Sequence, residues 1–325
     1  MRMIQMNEKI RAARLSIASS TVLTLAKLAT GIFMNSISVL SEAIHSGLDL
    51  VAAMIAFLSV RESSKPADER HPFGHGKFEN VASIIEAVLI LAAAAMIIAS
   101  AYPKLRGEVE IHSLGLGAAI MGISALVNFL VSRELMSVAR KTESPALEAD
   151  AWHLRTDVYT SLGVFAGILA IKITGLTILD PLIAMGVALL IVRAAVRLII
   201  DSMRGILDVQ LPEKEQQVIR EILAKYSPHY LEYHELKTRK AGPQRFIELH
   251  LVVPGGRAVN KVHDLCDQIE EEVRHHFKDV NVLIHIEPCY QQCASCNQAG
   301  WQQTDTAPDK SFCGQQARKN YLPEK

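Results

Sequence analysis

Two His-x-x-x-Asp pairs are the residues of this sequence whose types and spacing most readily support chemistry. His45 and Asp49 form one pair, His153 and Asp157 form the other, and each pair lies within an otherwise apolar stretch. Residues four apart share one face of an α-helix and lie about 6 Å apart along its axis. Two such helices facing each other would bring two imidazoles and two carboxylates to one point. That set of nitrogen and oxygen ligands suits tetrahedral zinc.

The apolar surroundings decide between a metal site and an incidental pattern. On a soluble helix, a single His-x-x-x-Asp pair usually has no special role. Inside a membrane span, ionisable side chains are costly to bury and usually mark an ion pathway. Because the two pairs lie in two different apolar stretches, we predict one shared cation site built from both.

Six apolar segments are long enough to cross a bilayer, which takes about 20 residues each. Half of the 325 residues are hydrophobic, and the excess lies in the first two thirds of the chain. The second and fifth segments are the more polar ones, as expected of helices packed around a site. The sequence therefore predicts an α-helical membrane protein with six transmembrane helices, at 14–36, 38–60, 79–102, 112–132, 150–172 and 178–200.

Lysine and arginine are distributed unequally between the predicted loops, and this bias sets the orientation of the spans. Basic residues precede the first span and lie between spans two and three and between spans four and five, whereas the opposite loops carry few. We therefore expect the N-terminus, both basic loops and the C-terminal region to be cytoplasmic. We expect no cleavable signal peptide, and a bacterial inner (plasma) membrane suits this pattern.

After Arg204 the pattern changes to that of a small soluble domain. The order of predicted elements, αββαβ, indicates an α/β domain with an open sheet. At about 80 residues its own core would be modest, so dimerisation would help to stabilise it. The predicted elements are a helix at 213–227, two strands within 229–256 joined by a turn at 241–243, a helix at 258–277 and a strand at 281–288.

We divide the chain into a transmembrane domain at 1–207, a cytoplasmic metal-binding and dimerisation domain at 208–290, and a flexible tail at 291–325. Polar residues, glycine, proline and cysteine dominate the tail. The cysteine spacing allows soft-metal binding, but no surrounding fold supports a cluster, and an inert or redox-labile tail is the alternative. The cysteines concerned are Cys289, Cys293, Cys296 and Cys313.

The loop between the second and third spans contains three potential ligands, Asp68, His71 and His75. Pro72 and Gly74 would bend the chain so that both imidazoles face one point. We interpret these residues as a second metal site. The alternative is a solvated loop whose histidines are incidental.

The soluble domain contains a third group of potential ligands. Three of its histidines lie in predicted strands, where alternation could put them on one face. His285 and Glu287 are two residues apart and therefore share a face. A metal site and ordinary strand histidines both remain open on spacing alone. The group comprises His234, His250, His263, His285 and Glu287.

Over residues 10–290 the chain resembles the cation diffusion facilitator family, and within it the bacterial zinc and iron efflux transporters. The resemblance is carried by the two His-x-x-x-Asp pairs, by ADERHPFGHGK, and by HELKTR, GPQRFIELHL and VLIHIEP in the soluble domain. It implies a homodimeric transporter of six helices with a metallochaperone-like cytoplasmic domain. The tail lies outside the resemblance.

The resemblance also implies roles for individual residues. Glu287 stands where related bacterial pumps have aspartate, and His45 stands where the closest bacterial pumps have aspartate but the zinc-selective branch has histidine. Lys77 and Asp208 match a pair that ties the membrane and soluble halves together. The implied metal sites are a transport site at His45, Asp49, His153 and Asp157, a loop site at Asp68, His71 and His75, and a cytoplasmic dimer-interface site at His234, His250, His285 and Glu287, with His263 close by.

These observations lead us to expect a transporter that exports a divalent cation, most readily Zn²⁺, by proton antiport and alternating access. A divalent cation or protons would neutralise the two aspartates, and either state crosses a low-dielectric barrier at lower cost than a bare charge. Metal binding requires neutral imidazole, so metal and protons compete. We expect cytoplasmic Zn²⁺ sites to regulate transport and to stabilise the dimer.

The same residues leave two alternatives to zinc export. Efflux of Fe²⁺, Co²⁺, Cd²⁺ or Mn²⁺ by the same fold is the first alternative, although Mn²⁺ prefers more oxygen ligands. A membrane-anchored metal sensor is the second. An enzyme is not expected, because the pairs lack the glutamate of His-Glu-x-x-His hydrolases and four filled ligand positions leave none for water. With a formal net charge of zero, no nucleic-acid partner is expected.

Overall fold

A computed structural model of the protein describes residues 2–33, 37–105, 116–176 and 178–289. The chain forms two compact units, which meet in sequence between Leu207 and Asp208. The predicted tail, with Cys293, Cys296 and Cys313, lies outside the described residues. The first unit consists of six helices: α1 (Arg2–Phe33), α2 (Ile37–Ser63), α3 (Lys77–Leu105), α4 (Leu116–Thr142), α5 (Pro145–Thr174) and α6 (Leu179–Ile206).

The apolar composition of these helices agrees with the predicted class of membrane protein. Among the described residues, α1, α2, α3, α4 and α6 are long and apolar enough to cross a bilayer. Helix α5 is equally long, at 30 residues. Its first half is more polar, however, because it carries Asp150, His153, Arg155 and Asp157. The half of α5 that is predicted to contribute to the cation site is therefore the more polar half of that helix.

Small side chains let the six helices approach closely. Ala52, Ala53 and Ala56 on α2 are fully buried, as are Ala149 and Ala151 on α5. Close approach of this kind is typical of helix packing in membranes, where van der Waals contact replaces the hydrophobic driving force. One apolar cluster contains residues from all five helices α1, α2, α3, α4 and α5, and a second contains residues from α3, α5 and α6. Helices α3 and α5 contribute to both.

A polar contact fixes the starts of α3 and α5 beside each other. Glu79 on α3 is fully buried and accepts a hydrogen bond of 2.8 Å from the Lys9 ammonium on α1. The hydroxyls of Ser63 and Ser144 also donate to its carboxylate. Ser144 directly precedes Pro145, the first residue of α5, where a hydroxyl cap and a proline are both favoured. The ends of α1, α2, α3 and α5 thus meet at one paired carboxylate.

The second unit confirms the predicted order αββαβ. It contains α7 (Glu213–Lys225), β1 (Glu232–Ala241), β2 (Gln244–Pro254), α8 (Val259–His276) and β3 (Val280–Cys289), with a 3₁₀ turn at Ser227–His229. The sheet order is β1-β2-β3, with β1 antiparallel and β3 parallel to β2. Gly242 has a φ of 58° in the turn between β1 and β2. Both helices pack on one face of the sheet through an apolar cluster that includes Ile219, Ile247 and Ile269.

We expect Gly205→Ala to destabilise the contact between α3 and α6. A Cβ at Gly205 would lie 2.5 Å from Nδ2 and 3.0 Å from Cγ of the buried Asn80, whose amide donates to the Ser202 carbonyl. Overpacking of this kind costs about 1–3 kcal/mol. Thermal unfolding of the detergent-solubilised protein measures the effect. Gly186→Ala on the same helix is the matched control, since a Cβ there meets nothing within 4 Å. Equal melting temperatures for the two variants would contradict the expectation.

Candidate metal centres

The two His-x-x-x-Asp pairs come together between α2 and α5, and we call the four residues the tetrad. Nε2 of His45 lies 4.0 Å from Oδ1 of Asp49 and 3.8 Å from Oδ1 of Asp157. Nε2 of His153 lies 3.1 Å from the same oxygen of Asp49. One imidazole from each helix therefore reaches the carboxylate of the other helix. The helical spacing of four residues is what presents each pair on one face.

Three members of the tetrad present their ligand atoms together. One ligand atom each from His45, Asp49 and Asp157 lies within 4.8 Å of the others. The fourth, His153, has its Nε2 hydrogen-bonded to Asp49 instead. An ionised Asp49 can only accept, so Nε2 of His153 carries the proton in this arrangement. A metal ion and a proton therefore compete for the same nitrogen.

Burial differs across the tetrad. Asp49 and His153 are buried, whereas the His45 side chain is 41% exposed. A partly open cavity of about 310 Å³ adjoins His45 and Asp157. Its walls are mainly apolar and come from the second half of α3, the middle of α5 and the first half of α6. Besides the two tetrad members, they include Met96, Ile97, Thr160, Pro181 and Ala184.

One further residue of this site, Asn128 on α4, was not predicted from the sequence. It is buried, and its Nδ2 donates a hydrogen bond of 3.2 Å to Oδ2 of Asp157. Such a donor orients the carboxylate and leaves Oδ1 directed toward His45. The signal was present in the sequence, because Asn128 is the one amide side chain in the fourth predicted span. An isolated polar residue in a span often makes a contact between helices.

The structure also brings together the three predicted ligands of the loop. Oδ1 of Asp68 lies 3.2 Å from Nδ1 of His71, and Oδ2 lies 3.4 Å from Nε2 of His75. The two imidazole rings are 4.3 Å apart between centroids. Gly74 has a φ of 82°, which supplies the bend expected there.

Hydrogen bonds from the backbone keep Asp68 ionised. Its Oδ1 accepts the N–H groups of His71, at 2.7 Å, and of Arg70, at 2.9 Å. The bond from the His71 backbone is the main reason that the pKa of Asp68 lies below its usual range. The loop therefore presents a charged carboxylate beside two imidazoles. This arrangement could hold a divalent cation.

In the second unit, sheet register aligns three histidines. His234 pairs with His250 across β1 and β2, and His250 pairs with His285 across β2 and β3. Glu287 reaches two of them: Oε1 lies 2.8 Å from Nδ1 of His250, and Oε2 lies 3.3 Å from Nε2 of His234. His234, His250 and Glu287 offer ligand atoms within 4.8 Å of one another. The His285 ring lies 4.8 Å from that of His250 between centroids.

One residue near this cluster, Glu235, departs from the simple alternation of a strand. Glu235 has a φ of 50° at an irregularity between His234 and Lys237, and its Oε2 lies 3.9 Å from Nε2 of His250. Strand alternation does not anticipate that position.

His263 lies on α8, and its side chain is exposed. Its Nδ1 lies 3.8 Å from Oδ1 of Asp267. Among the described residues of one chain, His263 does not belong to the group of ligand atoms formed by His234, His250 and Glu287.

The two members of the predicted interdomain pair belong to different units, and each has a partner in its own. The Lys77 ammonium donates to the Ile206 carbonyl at 3.3 Å. The Asp208 carboxylate accepts a hydrogen bond of 3.3 Å from the Arg239 guanidinium. The pairing of Lys77 with Asp208 stays a prediction.

An apolar helical unit with a buried site of two imidazoles and two carboxylates, followed by a small α/β domain, defines a class of membrane metal-ion transporters. Two family models match the chain: the cation efflux transmembrane domain over residues 13–207 and the cytoplasmic domain of cation efflux proteins over residues 211–289. The chain belongs to the cation diffusion facilitator family, as its motifs predicted. It is therefore a cation efflux transporter and a membrane protein.

Two relatives that match most of the chain agree with this assignment. The chain is 34% identical over 296 residues to the uncharacterized transporter sll1263 of Synechocystis, covering 91% of this chain and 94% of that one. It is 32% identical over 278 residues to the cation-efflux pump FieF of Serratia proteamaculans, covering 86% and 92%. The solved metal-bound C-terminal domain of the CzcD transporter from Thermotoga maritima is 27% identical, covers 25% of this chain and 99% of its own, and has a TM-score of 0.23.

We expect Asn128→Ala to weaken divalent-metal binding at the tetrad about 10–100-fold, the usual effect of removing a group that orients a ligand. The reason is that Asp157 loses the donor that fixes its orientation. Isothermal titration with Zn²⁺ measures the affinity. Ser124→Ala on the same helix is the control, because its buried hydroxyl has no hydrogen-bond partner among the described residues. An Asn128 variant with unchanged affinity would show that Asp157 needs no orienting donor.

We expect Glu287→Gln to remove one bound metal ion per chain while leaving the folded second unit intact. The amide keeps the size of the side chain but lacks the charge that would offset a divalent cation between two histidines. Metal content after dialysis, determined by inductively coupled plasma mass spectrometry, measures the loss. Glu248→Gln on β2 is the control. Equal metal content in the two variants would exclude Glu287 as a ligand.

Proposed function

We propose that the protein exports Zn²⁺ from the cytoplasm in exchange for protons and that the tetrad of His45, Asp49, His153 and Asp157 is its transport site. The observation that carries the proposal is the convergence of these four side chains between α2 and α5, beside a cavity of about 310 Å³. A binding site that adjoins a cavity in a membrane helix bundle is the expected arrangement for a transported ion.

The chemistry of the donor set supports Zn²⁺ as the substrate. Two imidazole nitrogens and two carboxylate oxygens match its preferred four-coordinate, mixed N and O environment. Mn²⁺ favours more oxygen ligands, whereas Fe²⁺, Co²⁺ and Cd²⁺ are the competing substrates to test. Transport of those ions would use the same four residues.

The contact between His153 and Asp49 supports proton exchange. When Nε2 of His153 donates to Asp49, its proton occupies the position that a metal ion would need. Binding of Zn²⁺ must displace that proton or turn the ring, and return of a proton from the other side would expel the metal ion. The cycle therefore couples metal movement in one direction to proton movement in the other.

The position of the cavity supports alternating access. Its lining residues lie at 93–101 on α3, at 156–160 on α5, and at Pro181 and Ala184 on α6. Apart from those level with the tetrad, these positions are on the side away from Glu79 and Ser144, where the helix ends are held together. With the N-terminus in the cytoplasm, as loop charges favour, this conformation faces outward. An inward-facing conformation would open the opposite side.

The remaining predicted sites complete the proposal. We assign the loop group, Asp68, His71 and His75, to metal binding at the cytoplasmic surface. The cluster of His234, His250 and Glu287, with His285 beside it and His263 supplied from α8, would hold regulatory Zn²⁺ between two protomers in a homodimer. Metal that binds one conformation more tightly shifts the population toward it. A Lys77–Asp208 contact would then connect the two units in an inner-membrane protein with both termini in the cytoplasm.

Zinc uptake into proteoliposomes that contain a zinc-sensitive dye tests the proposal. We expect entry to be fast when the vesicle interior is more acidic than the exterior and at least 10-fold slower without that gradient. Asp157→Ala should abolish entry under both conditions, because the site then loses one of its two charges.

Asp201→Ala is the matched control, since Asp201 lies on α6 in an exposed pair with Arg197. This variant should transport as the unmodified protein does. Entry that is indifferent to the imposed pH gradient would contradict proton exchange. Entry that persists in Asp157→Ala would move the transport site elsewhere, and tight zinc binding without entry in any protein would favour a membrane-anchored sensor.

A further inference from the structure

In the described part of the helical unit, three carboxylates outside the tetrad are buried, and two of them, Glu86 and Asp150, differ from the third, Glu79. Glu86 on α3 is 0% exposed, and Asp150 on α5 is 1% exposed. None of their four carboxylate oxygens has a hydrogen-bond partner among the described residues. Glu79, by contrast, is equally buried but is paired with a lysine and two hydroxyls. The burial of Glu86 and Asp150 therefore has no structural compensation of the kind that Glu79 has.

The two carboxylates lie at the same height in the bundle. The contact of Glu79 with Ser144 sets the starts of α3 and α5 side by side. Glu86 and Asp150 each follow that contact by about 10 Å along their helices, at 1.5 Å per residue. Their neighbours Ala87 and Ala149 belong to one apolar cluster, and the two carboxyl groups interact electrostatically. Both therefore lie near the interface of α3 and α5, and we call them the pair.

The surroundings of the pair supply no permanent positive charge among the described residues. The ionisable side chains of α4 are exposed, and Lys9 is already bound to Glu79. The Ser16 hydroxyl lies near Asp150 and acts on it as a polar neighbour, although the two groups do not reach full hydrogen-bond geometry. The groups that act on Asp150 from the packed elements are Ser16 of α1, Asp49 of α2, Glu86 of α3 and His153 of α5, while α6 contributes apolar side chains such as Ile191 and Ala195.

Two adjacent carboxylates in such an environment cannot both be ionised. Transfer of an unpaired carboxylate from water into an apolar interior is so costly that the group takes up a proton instead. A second carboxylate nearby adds repulsion to that cost, so that a close pair shares a proton. Burial and the missing partners thus point to the same state, in which the pair holds a proton.

We propose that Glu86 and Asp150 form a proton-binding pair that couples metal binding at the tetrad to proton release. This inference rests on the proposed proton exchange and adds the residues that would carry a coupling proton beside the tetrad. Asp150 precedes His153 by one helical turn and interacts electrostatically with both His153 and Asp49. A divalent cation at the tetrad stabilises an ionised Asp150, so the proton leaves the pair as the metal ion arrives.

The direction of transfer follows from where the pair lies. It is on the Glu79 side of the tetrad, opposite the cavity, so a proton released there leaves toward the cytoplasm when that side opens. After the metal ion departs through the cavity, a proton that reaches His153 can pass to Asp150 and restore the pair. Each cycle then moves a proton against the movement of the metal ion.

Infrared spectroscopy of the full-length protein in lipid nanodiscs tests the proton directly. We expect a carbonyl stretch from protonated carboxyl at neutral pH, which disappears on addition of Zn²⁺. Glu86→Gln and Asp150→Asn should each diminish that band before any metal is added. In weakly buffered solution, the number of protons released per Zn²⁺ bound should fall by about one in the double variant. Glu148→Gln, at an exposed position on α5, should change neither quantity.

The outcomes separate this inference from the proposed function. One outcome is that the unmodified protein transports zinc in response to the pH gradient, while the substitutions change neither the carboxyl band nor the number of protons released. This outcome would overturn the role of the pair and leave the proposed function standing. A band that the substitutions remove, in a protein whose transport ignores the pH gradient, would overturn proton exchange and with it the coupling. If the substituted proteins misfold, the unmodified protein still tests the coupling. A carboxyl band that does not change when Zn²⁺ is added contradicts it.

Discussion

The hydrogen bond between Asp49 and His153 is the contact on which the arrangement of the first unit depends. A carboxylate buried between apolar helices is tolerated only with a partner, and here the partner comes from the helix that faces it. The contact joins α2 to α5 at a fixed height. The carboxylate of Asp157 has different partners. It accepts a hydrogen bond from Asn128 on α4 and lies close to His45 on α2. Three helices are thereby aligned around two carboxylates.

Buried carboxylates recur along the bundle, and their partners change with position. At the start of α3, Glu79 is paired with Lys9, so it holds helix ends together and has no open coordination. About 10 Å further along, Glu86 and Asp150 have no partner among the described residues. Beyond them lies the tetrad, where each aspartate has an imidazole near it and a cavity adjoins. Only the last arrangement combines charge, ligand atoms and access, which is what binding of a mobile cation requires.

The sequence predicted those features that depend on periodicity. His-x-x-x-Asp spacing placed each pair on one helix face, and strand alternation allowed His234, His250 and His285 to lie on one face of the sheet. The order αββαβ followed from the change between helical and strand patterns, and the confirmed register explains why the histidines align. That the two pairs share one site was inferred from their recurrence in two apolar stretches, and the family resemblance implies the same site.

Features that depend on contacts between distant elements were not predictable in this way. Asn128 shows its role only once α4 is packed against α5, and Glu235 joins the histidines because an irregular strand with a positive φ turns it toward them. The side of the tetrad on which the cavity lies depends on how α3, α5 and α6 diverge. The more polar character of α5, in contrast, was visible in the sequence, because ionisable residues cluster in its first half.

X-ray absorption at the zinc edge can show whether the tetrad itself binds the metal ion, when it is applied to a protein whose loop and cytoplasmic ligands have been replaced by alanine. We predict that this protein still binds one Zn²⁺, with two nitrogen and two oxygen neighbours at about 2.0–2.2 Å. Further replacement of Asp157 should remove that ion. A first shell containing sulfur at about 2.3 Å would place the ion on cysteines, and loss of all zinc with an intact tetrad would contradict the account.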